Sequence, residues 1–314
     1  MTRIFFPSGA ALLLASFLSL PAALPAAQPF AGRWDLTVTT PKDTYPSWME
    51  VNGVGNEPVV RVVGRVASVH PATNVHLNGT RLTFTTQEWF DQLTNVTWEF
   101  HASGGKITGT QKRADGVDGH IVGVPAPPLK HKEPAAWSKP QSLFNGKDLT
   151  GWAPDDPSTN HWAVENGELV NQAAGANIMT TRKFGDFKLH IEYNCPDGGN
   201  SGVYLRGRDE VQVEYEKAGE NDEFHAMGSI YGFIAPAVEI PKQPGQWESY
   251  DVTEVGRTVT VMRDGQLTID HKEIPGITGG AIDSHEGEPG PLLIQGDHTG
   301  GMKYRNITIQ LAEK

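Results

Sequence analysis

Asn200-Ser-Gly-Val-Tyr-Leu-Arg-Gly-Arg-Asp-Glu-Val-Gln212 alternates as a pair of β-strands would. Val203 and Leu205, then Val211 and Val213, have the period-2 spacing that sends one set of side chains into a core. Arg206, Glu210 and Gln212 are then expected on the opposite face. That face carries a fork donor, a carboxylate and an amide, three groups able to grip several hydroxyl or carbonyl oxygens at once. The alternation alone also fits a solvated strand face, the commoner case, because antiparallel sheets are often wet on one side.

The same pattern extends along the chain. It holds 35 Gly and 22 Pro, with short Val, Ile, Leu and Tyr runs between turn signals and hardly any sustained 3.6-residue period, which predicts an all-β protein. Residues 28–125 contain Trp34-Asp-Leu-Thr-Val-Thr, Arg81-Leu-Thr-Phe-Thr-Thr and Val96-Thr-Trp-Glu-Phe, punctuated by Asn78-Gly79 and Gly104-Gly105. These predict a small antiparallel β-barrel, closed so that its edges are not left unpaired. The Gly32-x-Trp34 pair resembles the opening of lipocalin-like barrels. Residues 126–140, rich in Pro and poor in strand formers, read as a semi-rigid connector. Residues 141–314 have the length and turn spacing of a two-sheet β-sandwich of jelly-roll type.

Residues 1–27 have the layout of a secretory signal peptide: Arg3, the apolar stretch Ala10 to Leu20, then Pro- and Ala-rich sequence to Ala27. The apolar part is shorter than the roughly 20 residues a spanning helix needs. Export to the periplasm or the medium is expected, with no membrane association after cleavage. Cys195 is the single cysteine, so no internal disulfide and no Cys-based metal site arise, and it reads as a small buried apolar residue. With 37 acidic against 26 basic side chains and a net charge of -11, no Lys/Arg stripe exists to track phosphates. Nucleic acid is not an expected partner. Asn-x-Thr triplets begin at Asn78, Asn95 and Asn306, and they matter only in a glycosylating host.

Six motifs occur in order: Leu-Phe-Asn-Gly-Lys-Asp-Leu-Thr-Gly-Trp (143–152), Asn-Ser-Gly-Val-Tyr-Leu-Arg-Gly (200–207), Glu-Val-Gln-Val (210–213), Gly-Ser-Ile-Tyr-Gly (228–232), Gly-Gln-Trp (245–247) and Tyr-Arg-Asn-Ile (304–307). Together they resemble the 3-keto-disaccharide hydrolase domain family, whose fold is similar to concanavalin A-type lectins and glucanases. The resemblance spans residues 141–314, and a small barrel ahead of this domain resembles an arrangement in part of the family. It implies cleavage of 3-keto-glycosides, sugars already oxidised at C3 by a separate sugar 3-dehydrogenase. A C3 ketone makes the C2 hydrogen acidic and places the C1 glycosidic oxygen in the β position. One base then starts an elimination, and water added across the new double bond completes a net hydrolysis.

On that resemblance Glu210 and His298 are the candidate base and acid, with either assignment open. Arg206 and Gln212 are candidate donors to the ketone oxygen. Asn200 and Gln295 are candidate substrate ligands, and Asp297 is placed to orient the His298 ring. Tyr231 and Trp247 are candidates to stack on the sugar, although core packing explains Trp247 equally well. Arg305 shares the parity of Ile307 and Ile309, so it is expected to point inward toward an acidic or ligand partner. No cofactor is required by this chemistry. The acidic insertion Gly219-Glu-Asn-Asp-Glu could take a divalent cation such as Ca²⁺, but a solvated loop is the simpler reading, so no metal ligands are named.

Two other functions fit the same strands. Glu210-x-Gln212-x-Glu214 resembles the Glu-x-Asp-x-Glu strand of some β-glucanases, but positions 210 and 214 lie roughly 13 Å apart along an ideal strand. Retaining chemistry needs carboxyls about 5 Å apart. A non-catalytic carbohydrate-binding module is the third reading. Oligomeric state leaves no mark in the sequence.

Overall fold

The structure, a computed structural model, describes residues 29–53, 58–65, 68–89, 92–215, 223–241 and 243–313. The signal-peptide stretch 1–27 and the acidic insertion from Gly219 to Asp222 lie outside the described residues. Secondary structure is almost wholly β, in three antiparallel sheets.

The first sheet has nine strands and holds Gly32–Thr39 next to Asp118–Pro125 at its middle. Its two outermost strands, Val69–Pro71 and Thr73–Asn78, are consecutive in the chain. The sheet therefore curls back on itself into a nearly closed barrel. Alternation fills its interior with Leu36, Val38, Met49, Leu82, Phe84, Trp98 and Phe100. The rings of Phe84, Trp98 and Phe100 stack 5.9–6.1 Å apart. Trp34 is buried among them, and its indole donates to the Phe30 carbonyl at 2.8 Å, which satisfies the one polar atom a buried Trp carries.

The remaining chain forms a sandwich. One sheet runs Trp162–Glu165, Glu168–Asn171, Lys303–Leu311, Phe187–Asn194, Trp247–Val255, Thr258–Arg263 and Gln266–Glu273, with Gln141–Ser142 added to Lys303–Leu311. The facing sheet runs Trp152–Pro154, Ile178–Thr180, Leu293–Ile294, Asn200–Leu205 and Asp209–Glu214. Between them lies a core of Leu189, Ile191, Tyr193, Val252, Val261 and Ile309 against Val203, Leu205, Val211, Val213 and Ile294. The apolar half of the opening alternation is thus inward, as the period-2 reading expects. The polar half, including Glu210 and Gln212, faces the barrel.

Barrel and sandwich meet in a dry seam of Trp48, Val63, Ile277 and Ala281, with Phe233 edge-on to Trp48 at 5.4 Å. Gly276 permits this approach, because a Cβ there would stand 2.1 Å from the Trp48 indole nitrogen. A charged layer flanks the seam. Arg257 pairs with Glu286 and reaches the Pro127 carbonyl at 3.0 Å, and Thr37 meets Ser284 at 3.1 Å.

Candidate active site

A cavity of about 550 Å³ lies between the smaller sandwich sheet and the barrel. Its floor is the hairpin Asn200–Leu205 and Asp209–Glu214, in which Tyr204 pairs with Glu210 and Gly202 with Gln212. Asn200, Tyr204, Glu210 and Gln212 share the face that the period-2 alternation turns away from the core. Gly202 is the opening that makes this possible: a Cβ there would stand 1.9 Å from Glu210 Oε1. Its missing side chain is the space into which the Glu210 carboxylate folds across the neighbouring strand.

Glu210 is 3% exposed. Burial pushes its carboxyl up to about 8, Glu214 and Asp297 add to the rise, and the hydrogen bond from Tyr204 opposes it. The Tyr204 hydroxyl lies 2.9 Å from Glu210 Oε2 and 3.0 Å from the Gly279 carbonyl. One proton serves both contacts. Tyr204 donates to Glu210 when that carboxyl is ionised, and turns to Gly279 when Glu210 itself donates. The pair thus accommodates either protonation state without breaking the floor.

The Gln212 amide nitrogen donates to Glu214, which leaves the Gln212 Oε1 carbonyl buried without a hydrogen-bond partner. Gln295 Oε1 is in the same condition. Orphaned buried acceptors are costly, on the order of 1–3 kcal/mol each. Both line the cavity, where a hydroxyl-bearing ligand would satisfy them.

The cavity edge is built by two loops. Backbone bonds from Gln212 N to Ser229 O at 3.0 Å and from Tyr231 N to Glu210 O at 3.1 Å lay one of them along the edge strand and bring Tyr231 beside Glu210. The His225 ring stands edge-on to Tyr231 at 4.8 Å. The second loop follows Leu293–Ile294. Gln295 is held by its N to Gly202 O at 2.9 Å and by Ser201 Oγ to its carbonyl at 2.7 Å. Beyond it Asp297 Oδ1 contacts His298 Nδ1 at 2.6 Å on the half-exposed rim. Asn200, Glu210, Gln212, Tyr231, Gln295, Asp297 and His298 therefore come together around one cavity.

Three residues singled out from sequence do not. Arg206 occupies the hairpin turn with φ +51. The strand parity that placed it with Glu210 ends at Leu205, and the left-handed turn swings its side chain beneath the sheet. There it bonds Glu254 at 2.6 Å, the Gly256 carbonyl at 2.9 Å and Asp209 at 3.4 Å. Arg305 is not on the inward face either. The ladder to Phe187–Asn194 shifts register between His190 and Glu192, opposite a bulge where Asn306 has φ +50. The extra residue reverses parity, so Arg305 points outward, 2.6 Å from Glu192. Its guanidinium lies 3.9 Å over the Trp247 ring on that same outer face. Trp247 thus stacks on Arg305 at the surface of the other sheet, away from the cavity.

Cys195 is buried in the core, and burial pushes its thiol up to about 12, which makes it inert as a nucleophile. Among the described residues, no group of three or more His, Cys, Asp and Glu side chains is arranged to hold a metal ion.

The sequence reading missed Tyr204, whose even-numbered parity with Asn200 and Gly202 marks it as a floor residue. It also missed a whole wall: Ser68, His70, Gln87 and Leu93 of the barrel line the cavity opposite the hairpin. No local pattern announces which surface a separate sheet will cover.

The smaller sheet of the β-sandwich thus presents a buried carboxylate and orphaned amide oxygens to a cleft. Residues 139–310, more than half of the chain, match the family described as the 3-keto-alpha-glucoside-1,2-lyase-like domain. The chain belongs to that family. It is similar to a 3-keto-disaccharide hydrolase of Bacteroides thetaiotaomicron, 22% identical over 154 residues, which is 38% of this chain and 53% of that one. It thus spans about half the length of this curated relative. Among solved structures, a candidate glycosyl hydrolase of Parabacteroides distasonis matches at 27% identity with a TM-score of 0.48, covering 58% of this chain and 93% of that one. A second from the same organism matches at 21% identity and a TM-score of 0.45, covering 55% and 94%.

Proposed function

We propose that this chain cleaves 3-keto-glycosides by removal of the C2 proton, elimination of the aglycone and hydration of the resulting enone. The observation that carries the reading is Glu210: a buried carboxyl, raised to about 8 and bonded to Tyr204, on the floor of a polar cavity in a domain of this family. A general base works best with its pKa near the operating pH. Ionised Glu210 takes the C2 hydrogen as a proton, and its bonding pair moves to the C3 oxygen as an enolate. The enolate reforms the ketone as the C1 oxygen bond breaks, and the aglycone leaves as an alkoxide that takes a proton from the rim, where His298 stands. Water then adds at C1 and gives its other proton back to His298, while Glu210 returns a proton to C2. With Arg206 committed elsewhere, the amides of Asn200 and Gln295 and the Tyr231 hydroxyl take its place as donors to the developing enolate.

No step consumes a redox cofactor, so the ketone comes from a separate sugar 3-dehydrogenase. The leader-like first residues support action outside the cytoplasm. The ordinary glycosidase reading loses ground because Gln212 stands between Glu210 and Glu214 and donates to Glu214.

The test offers the purified protein a glucoside and its 3-keto derivative in parallel, in deuterated water. Turnover of the keto form alone, with deuterium at C2 of the released sugar, is the expected result. Equal turnover of both overturns the proposal.

A further inference from the structure

The joint between barrel and sandwich has an apolar half and a charged half, and the charges of the second do not balance. From the barrel, the strand Gly32–Thr39 turns Arg33, Asp35 and Thr37 toward the sandwich. Arg33 is matched: it bonds Glu50 of its own sheet at 3.1 Å and reaches Glu273 across the joint. Thr37 meets Ser284 at 3.1 Å. Asp35, between them, is 4% exposed and stands within hydrogen-bonding reach of a second carboxyl, Glu286, which is also 4% exposed.

The guanidiniums that face this pair are engaged elsewhere. Arg257 donates to both oxygens of Glu286, to Oε1 at 2.9 Å, and to the carbonyls of Pro127 and Pro275. Its charge is thus matched by Glu286 alone. Arg208 bonds Asp283 at 2.7 Å and the carbonyls of Arg206 and Glu288. Arg206 goes to Glu254 and Asp209. In the barrel ladder Asp35 lies between Trp48 and Val124, which carry no charge. Among the described residues nothing donates a hydrogen bond to Asp35 Oδ1, which is buried. An ionised Asp35 would be an unpaired charge in a dry joint, set against an ionised Glu286. Two carboxyls so placed do not both ionise.

We propose that Asp35 stays protonated in the docked protein and donates to Glu286, and that this one proton makes the barrel's grip on the sandwich pH-sensitive, tightest in acid. Burial and the adjacent Glu286 push the Asp35 carboxyl up to about 9, with Arg257 and Arg208 opposing. Freed from the joint, Asp35 meets water and returns to its ordinary value of about 4. Between those values the docked form binds one proton more than the undocked form. The docking equilibrium constant therefore falls by up to about 10-fold per pH unit as the pH rises from about 4 to about 9, and this pair adds no further loss above that. Ser68 and His70 of the barrel line the cavity, and a Cβ at Gly232 would stand 2.5 Å from Ser68 Cβ. A looser joint thus also loosens the wall that stands across from Glu210. Glu210 and the Asp209–Glu254 pair, whose carboxyls burial also raises, add dependences of their own, so the Asp35 share is read by difference.

The experiment follows opening of the joint by thiol labelling of the full chain, with no substrate present. Ala281→Cys places a thiol in the seam, where Ala281 is 8% exposed. Cys195, buried in the sandwich core, reports global unfolding in the same molecule. Each labelling rate, divided into the rate for the same thiol in denaturant at the same pH, gives a protection factor. Seam protection with Asp35→Asn added, relative to Ala281→Cys alone, is expected to rise by about 10-fold or more between about pH 5 and about pH 9. Glu286→Gln, which lets Asp35 ionise against Arg257, gives the same reading where Asp35→Asn does not fold. A ratio that stays flat across that range overturns the proposal. So does a seam thiol that labels only as fast as Cys195, because the joint would then open only when the sandwich unfolds.

Discussion

The sandwich has two polar faces built from the same kinds of residue, and their surroundings differ. On the outer face of the larger sheet, His190 contacts Asp251 at 2.8 Å, Glu192 bonds both Arg305 at 2.6 Å and Asn306 at 2.7 Å, and Arg305 covers Trp247. A carboxylate, a guanidinium, an imidazole and an indole are all present. Each is half-exposed and engaged with a neighbour, so the cluster resembles an ordinary solvated ion-pair patch. On the face of the smaller sheet the side chains are buried where the barrel packs over them. Glu210 and Gln212 are 3% and 2% exposed there, and acceptors remain unbonded. Side-chain type does not separate the two faces. Desolvation and unmet hydrogen bonds do.

The most severe break in this contrast is Glu210→Gln. The substitution keeps size and hydrogen bonding but removes the base, so kcat on a 3-keto-glycoside should fall by about 10² or more. The pH profile of the wild-type protein sharpens the point. In the proposed mechanism Glu210 must be ionised to accept the C2 proton, and burial holds its carboxyl up to about 8. The acid limb of kcat/KM should therefore rise with pH and level off above about 8, and an acid limb near the ordinary carboxylate range would remove Glu210 as the base. The same shift has a stability cost of opposite sense. The folded-state value exceeds the unfolded one, so Glu210's burial is best tolerated at low pH, and its contribution is lost as pH rises from about 4 toward about 8.

Arg206→Ala breaks a different part of the molecule. Glu254 is fully buried and Asp209 nearly so. Burial pushes both carboxyls up, and the Arg206 charge is the largest opposing influence. Removing one partner of such a cluster costs about 3–5 kcal/mol. The expected outcome is a large fall in Tm or denaturation midpoint, with kcat per folded molecule affected far less than in Glu210→Gln. An unchanged melting curve with a loss of kcat of about 100-fold would return Arg206 to the enolate.

These assignments show where sequence reading succeeds and where it stops. The hairpin was legible because Val203, Leu205, Val211 and Val213 keep an unbroken period of two, and the parity carried Glu210 and Gln212 to the correct face. It failed for Arg206 one residue past the strand, where a left-handed turn residue ends the alternation. It failed for Arg305 at the Asn306 bulge, a single inserted residue that inverts every expectation on one side of it. Asn in a left-handed conformation is the only local hint of that bulge, and it is a weak one. The barrel wall was not legible at all. Ser68, His70, Gln87 and Leu93 come to line the cavity only when one sheet docks on another, through contacts such as Trp48 on Gly276 that no periodicity encodes.

The smallest effect tests the outer face itself. Trp247→Ala and Arg305→Ala remove an aromatic and a guanidinium that family motifs had marked as site residues. Both lie on the far surface of the sandwich, where Arg305 is 38% exposed at its side chain. Exposed ion pairs contribute about 0–1 kcal/mol, and an exposed cation–π contact about 0.5–1 kcal/mol. Each substitution should lower stability by an amount of that order. Because neither side chain lines the cavity, both kinetic constants on a 3-keto-glycoside, kcat and KM, should stay within about 2-fold of wild type. If substrate binding instead weakened by about 10-fold or more, with the melting curve unchanged, the Trp247 surface would also hold sugar. The contrast between an engaged, solvated face and an unsatisfied, desolvated one would then no longer distinguish a patch from a site.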